Sequence, residues 1–186
     1  MGEEINVMKK EKLYNVGWVP IWMLMYMPMF WFITLPINFV IDSIVLLIAF
    51  AVLKVENRKD KYWKSIFQVW KYGFVADFIG AVVMTIVTFG VYDGKKSEVG
   101  LSLMMDPRGN TIALLWTILS IIISGIFIYI FDSKRAFANT DLSEKRKKQI
   151  SLIMAIFTAP YTMLSPTGFI YGIIYFFMYG PAIFYL

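Results

Sequence analysis

Asp42 and Asp77 are the only charged residues that lie outside four polar segments of the chain, and each sits within a long apolar run. A carboxylate inside a membrane span costs on the order of 2.5 to 3.5 kcal/mol on insertion scales, so its presence there points to a function. The two contexts echo one another, Phe39-Val40-Ile41-Asp42-Ser43-Ile44 and Phe74-Val75-Ala76-Asp77-Phe78-Ile79. Asn38 precedes Asp42 by one helical turn and shares its face, which sets a carboxamide beside a carboxylate, a pair able to hold a cation, a proton-bearing group or another polar solute. A second polar group, Thr158, Tyr161, Thr162, Ser165, Thr167 and Tyr171, gathers around Pro160 and Pro166, where a broken helix would present backbone dipoles to a substrate. The candidate substrate- or ion-binding residues are therefore Asp42, Asp77, Asn38, Thr158, Tyr161 and Ser165. The competing structural reading has Asp42 reaching the membrane interface, Asp77 paired with Lys71 or a loop lysine, and the hydroxyls bonded within kinked helices.

Much other chemistry is excluded by residue type. The chain has no cysteine and no histidine, which removes thiolate nucleophiles, imidazole bases and the usual zinc ligands. Met23, Met25, Met27 and Met29 alternate, a spacing that scatters thioethers around a helix instead of lining them along a copper path. The stretch from Pro36 to Asp42 faintly resembles the Phe-Asn-x-Ala-Asp region of lipoprotein signal peptidases, but Asn38 and Asp42 are one residue too far apart and no second Gly-Asn-x-x-Asp-Arg motif exists. No phosphate-binding glycine loop or ATPase signature occurs, so no cofactor and no metal are expected. Any energy source would be an ion gradient or another chain.

These residues must be positioned by an all-α, polytopic integral membrane bundle. The 186 residues are 59% hydrophobic, well above the roughly half that is usual in soluble domains. Four apolar blocks stand out, at 18–53, 72–92, 111–131 and 150–186. The middle two have the length of one span each, about 20 residues at about 1.5 Å per residue. The outer two are nearly twice as long, and Pro36 and Pro166 mark where each would fold back. Six transmembrane helices follow, at about 18–35, 37–53, 72–92, 111–131, 150–165 and 167–186, with four spans plus two re-entrant or broken helices as the alternative. The same arrangement runs the Asp42 and Asp77 helices antiparallel and sets the two carboxylates at opposite depths, each about 8 Å from its own boundary. The segment 61–71 carries Tyr62, Trp63, Ile66, Phe67 and Trp70 on one face and reads as an interfacial helix. Asp141, with Glu144 three residues on, reads as the cap of the helix that leads into the fifth span.

Charge placement orients the bundle. Residues 54–71 hold six Lys/Arg against two acids and 132–149 hold six against three, whereas 93–110 and 1–17 each hold three against three. Placing the two basic loops inside puts both termini, including the 1–17 segment, in the cytoplasm, in what would be a prokaryotic plasma membrane. The net charge of +5 then serves anionic lipid headgroups at the basic loops and not nucleic acid. The expected function is a small membrane transport protein, a permease, channel or substrate-binding subunit. The alternative is a non-catalytic subunit, assembly factor or immunity-type protein of a larger membrane complex, and enzymatic activity is not expected. Self-association or a partner membrane subunit fits either reading.

Overall fold

The computed structural model describes residues 19–169 and Gly172, and among them every regular element is helical. A 3-10 turn at Ile21–Tyr26 leads into α1 (Pro28–Val52); α2 (Arg58–Thr85) is prolonged by a π-helical turn, Ile86–Val91. A short α3 (Glu98–Met105) follows, then α4 (Thr111–Phe131) with its own π-helical end, Asp132–Ala136, and α5 (Glu144–Phe157) with a 3-10 turn at Tyr161–Leu164. Three of these helices, Pro28–Val52, Arg58–Val91 and Thr111–Ala136, are long and apolar enough to cross a membrane. The expected segments 1–17 and 170–186 lie outside the described residues, Gly172 apart.

The first apolar block does not fold back. Proline 36 lies inside α1, which runs unbroken to Val52. Its missing N–H releases the Phe32 carbonyl, but Phe32 is 85% exposed, so the distortion falls on a face that no helix covers among the described residues. Leu35 and Ile37 supply no turn chemistry to support a hairpin there. The spans expected at 18–35 and 37–53 are therefore one helix, preceded by the turn at 21–26. The separate interfacial helix at 61–71 is likewise absent, because nothing between Lys71 and Gly73 breaks the hydrogen-bond ladder and α2 passes straight through. Ile66 of its apolar face is buried, while Trp63 and Phe67 stay exposed.

Four helices pack in a ring, with α2 against α1 and α4, and α5 against α1 and α4. Neighbours in this ring run antiparallel. At one end lies the basic turn, where Lys54 and Asn57 take left-handed backbone angles to reverse the chain in four residues. Here the Lys61 ammonium is buried, donating to the Glu56 carbonyl at 2.9 Å and bridging to Asp141 at 3.2 Å. Asp141 is thus drawn away from capping α5; Ser143 caps it, accepting from the Arg146 N–H. At the far end, the Trp22 indole donates to the Leu103 carbonyl at 3.1 Å and the Thr167 hydroxyl to the Met104 carbonyl at 2.8 Å, which staples α3 over the bundle. Residues 19–27 accordingly enter at the end opposite the basic turn, where the six-span reading would place them beside it.

The core has two apolar clusters. One, at the basic end, is built on Leu46, Phe50, Val69, Ile128, Phe137 and Met154; the other, at the far end, on Trp22, Met84, Leu103, Ala113, Ile121 and Met163. Helices α2 and α4 approach closely at Gly80, where an added Cβ would lie 3.3 Å from the Ser124 Cβ and 3.4 Å from the Ser120 carbonyl.

Two outcomes test this arrangement. Replacing Gly80→Val overfills the α2–α4 seam and is expected to cost about 1 to 3 kcal/mol, read as a lower melting midpoint in detergent. Gly109→Ala, where a Cβ meets nothing within 4 Å, leaves the midpoint unchanged. The Lys61 ammonium holds the Asp141 carboxyl below the ordinary carboxylate range through a side-chain hydrogen bond. Depression of an acid places its stabilisation above the unfolded pKa and removes it as pH falls through the folded one. Limited proteolysis of the 137–143 loop is therefore expected to keep one rate from pH 8 to pH 5, to accelerate only in stronger acid, and to be fast at neutral pH in Asp141→Asn.

Candidate functional site

Both sequence-identified aspartates face the interior of the ring. Asp42 is 6% exposed and Asp77 is 8% exposed, although each comes from a helix whose other faces carry large apolar side chains outward. The continuity of α1 changes their relation. Asp42 lies at mid-helix, and its Oδ2 sits 3.5 Å from the point where a Cβ on Gly73 would stand. Gly73 precedes Asp77 by one turn of α2, about 6 Å. The two carboxylates are thus near neighbours in depth, one turn apart, and the opposite depths expected from the six-span reading are corrected. That expectation failed with the Pro36 hairpin on which it rested.

Asp77 accepts a hydrogen bond from the Ser124 hydroxyl of α4 at 3.0 Å. It does not pair with Lys71, whose ammonium lies over the Tyr72 ring, 4.5 Å from its centre. Among the described residues no cation pairs with Asp42 or Asp77, the ion pairs being confined to the ends of the bundle. The Asp106 carboxyl at the far end, by contrast, is held below its ordinary range by hydrogen bonds from the Arg108 side chain.

A third carboxylate joins them. Asp132, which sequence reasoning placed in the basic loop, is fully buried, and neither of its carboxylate oxygens has a hydrogen-bond partner. The helical period carries it inward: Thr117, Ser124, Ile128 and Asp132 fall on the buried face of α4, and the π-helical turn prolongs that face past Phe131. The signal was available in the sequence as the spacing of small and polar residues along 117–132, but the first charged residue after an apolar run reads as the start of a loop. Ser120, Ser151 and Thr88 also have buried hydroxyls with no partner.

The remaining candidates do not converge on this group. Asn38 lies one turn from Asp42 and is half-buried. The Thr158 hydroxyl donates to the Met154 carbonyl at 2.9 Å and the Tyr161 hydroxyl to the Ile156 carbonyl, so both satisfy their own segment. Ser165 closes the Tyr161–Leu164 turn through its backbone N–H. Of that segment, Met163 approaches the seam, its terminal carbon 3.4 Å from a Cβ built on Gly80. The broken helix is therefore closed by its own hydroxyls, and Tyr171 lies outside the described residues. A cleft of about 460 Å³ between α4 and α5 is lined by Ile118, Ile122, Ile126, Leu152 and Ile156 and faces outward. It suits an acyl chain, not a polar ligand.

Chemically, the three aspartates are strung through the bundle. Among the described residues no three acidic side chains converge closely enough to hold a metal ion between them. Comparison with protein-family models, with curated proteins and with solved structures returns no match.

A double-mutant cycle tests the Asp77–Ser124 contact. Neighbours sharing a hydrogen bond couple by about 0.5 to 3 kcal/mol, so Ser124→Ala and Asp77→Asn are expected to be non-additive in thermal unfolding. Additivity would show that the hydrogen bond contributes nothing to holding α2 on α4.

Proposed function

We propose that this chain is a small integral membrane transport protein that passes a cation, a proton or a small polar solute along its intramembrane carboxylates. The observation that carries this reading is the burial of Asp42, Asp77 and Asp132 in the bundle interior with no cation beside them among the described residues. A structural role would leave such groups paired, since an uncompensated buried carboxylate is destabilising and a hydrophobic residue of similar size would pack better. Retention of three at connected depths fits a positively charged or proton-donating cargo.

The basic end, with its turn at 54–57 and the loop after Ala136, would face the cytoplasm by the positive-inside rule. The Pro28 end of α1 and the 92–110 loop would then face outward. Helix α5 and the turn that follows it supply a fourth crossing beside the three long helices. Self-association would join the exposed apolar faces, such as that of Phe32, Ile33 and Val40 on α1.

Flux measurements on reconstituted protein test the reading. Cation or proton uptake into vesicles is expected to fall by about tenfold or more in Asp42→Asn and Asp77→Asn, each loss corresponding to about 1.4 kcal/mol or more, while both variants remain monodisperse. Unchanged flux in both would sink the assignment. A stoichiometric co-purifying membrane chain together with unchanged flux would favour the subunit reading.

A further inference from the structure

The buried polar atoms form a file that extends well beyond the two aspartates. The bonded pair Asp77 and Ser124 fixes the register of α2 against α4. From there toward the basic end, Asp42 stands one turn away beside Gly73, and Asp132 two turns away on α4, about 12 Å. Asp42 therefore lies between the levels of the other two. Toward the far end, Ser120 follows one turn beyond Ser124, and Thr88 three turns beyond Asp77, about 16 Å. These distances together approach the roughly 30 Å thickness of a bilayer's hydrocarbon core.

A second observation is independent of the carboxylates. The Ser120 and Thr88 residues are fully buried, and their hydroxyl oxygens make no hydrogen bond within the protein. Ser151 of α5 is in the same condition. It stands one turn from Ala155, whose carbonyl packs 3.4 Å from a Cβ built on Gly125, and so faces the stretch of α4 that leads to Asp132. Buried hydroxyls are normally bonded, commonly to the carbonyl one turn back, as Thr117 is to Ala113 at 2.9 Å. Orphaned donor–acceptor groups repeated through the bundle interior present sites where bound water can be held.

We infer that this file is a proton-conducting path, with Asp132 as the entry carboxylate on the basic side, Asp42 and Asp77 as the central carriers, and the Ser124, Ser120 and Thr88 hydroxyls as the far half. The inference rests on the transport reading above and names its cargo. A cation such as sodium or calcium needs several oxygens around one point, whereas a proton needs groups in sequence, each able to take one and give one. The groups here are in sequence. A proton enters on the Asp132 carboxylate, passes through hydrogen-bonded water to Asp42, then to Asp77, and leaves along the hydroxyl line. Each carboxyl gives up the proton it received, so all three return to their starting state after one transfer. The side chains facing the file are Asp42 from α1, Asp77 from α2, Asp132 from α4 and the neutral Ser151 from α5; Lys61 and Lys147 are engaged by Asp141 and Glu144 at the basic end.

The test uses the full chain in liposomes that hold a pH-sensitive dye, with a potassium diffusion potential set by valinomycin. Wild-type vesicles are expected to move protons faster than protein-free vesicles, and to do so when sodium is replaced by N-methylglucamine. Asp132→Asn is expected to slow the flux by on the order of 100-fold, as for loss of one proton-transfer group, with Asp132→Glu recovering most of it. Wild-type flux equal to that of empty vesicles overturns the path, and needs no variant to fold. Proton flux in a monodisperse Asp132→Asn protein equal to wild type also overturns it. If cation uptake is lost in Asp42→Asn and Asp77→Asn while Asp132→Asn is silent, the proton path fails and the transport reading survives.

Discussion

The seam between α2 and α4 is the contact on which the rest of the bundle depends. Gly80 removes a side chain where the two helices cross, Ser124 and Ser120 meet it from the other side, and the Ser124 hydroxyl closes on Asp77. In lipid no hydrophobic gain separates helix from helix, so close backbone approach and a buried hydrogen bond are what bring them together. That register then determines where every other polar group on the two helices falls. Asp132, remote in sequence from Asp77, lies along the same interior only because this crossing holds.

Around the seam the apolar core is divided into two clusters, with Asp77 and Ser124 between Ala76 and Ile128 on one side and Ala81 and Ile121 on the other. The division separates two kinds of burial. The clusters hold the helices by packing, assisted at the ends by the Trp22 and Thr167 hydrogen bonds and the Lys61 latch. The band between them carries groups that packing alone would exclude. A bundle packed at both ends can retain such a band, since the clusters on either side offset the cost of burying carboxylates. The outward faces, with Phe32, Val40, Ile44 and Leu115 exposed, are what an apolar solvent requires.

Backbone irregularity also has a local cause. The two π-helical turns lie at Ile86–Val91 and Asp132–Ala136, and each carries one of the unpartnered polar residues, Thr88 and Asp132. An extra residue in a helical turn rotates the following side chains, and such turns are frequent at functional sites. Thr88 and Asp132 are both fully buried where these turns stand.

Membrane residence was legible in the residues themselves, because apolar run length and the confinement of charge to short segments are one-dimensional properties. That Asp42 and Asp77 stand apart from the other charged residues was equally legible, since a carboxylate in an apolar run is costly wherever its helix lies. The path of the outer block was not. Proline 36 reads as a break, and only the finding that its ring and the freed Phe32 carbonyl lie on the outer face shows why the helix continues. Depth followed from that path, so the nearness of Asp42 to Gly73 and Asp77 could not be read in advance. Asp132 was hidden for a related reason: position in sequence says where a charge stands relative to an apolar run, whereas burial depends on which helix covers it. By itself the sequence determined the apolar solvent, the all-helical class and two of the three carboxylates. The tertiary structure decided that all three share one interior, because depth and facing are set by the packing of helices distant in the chain.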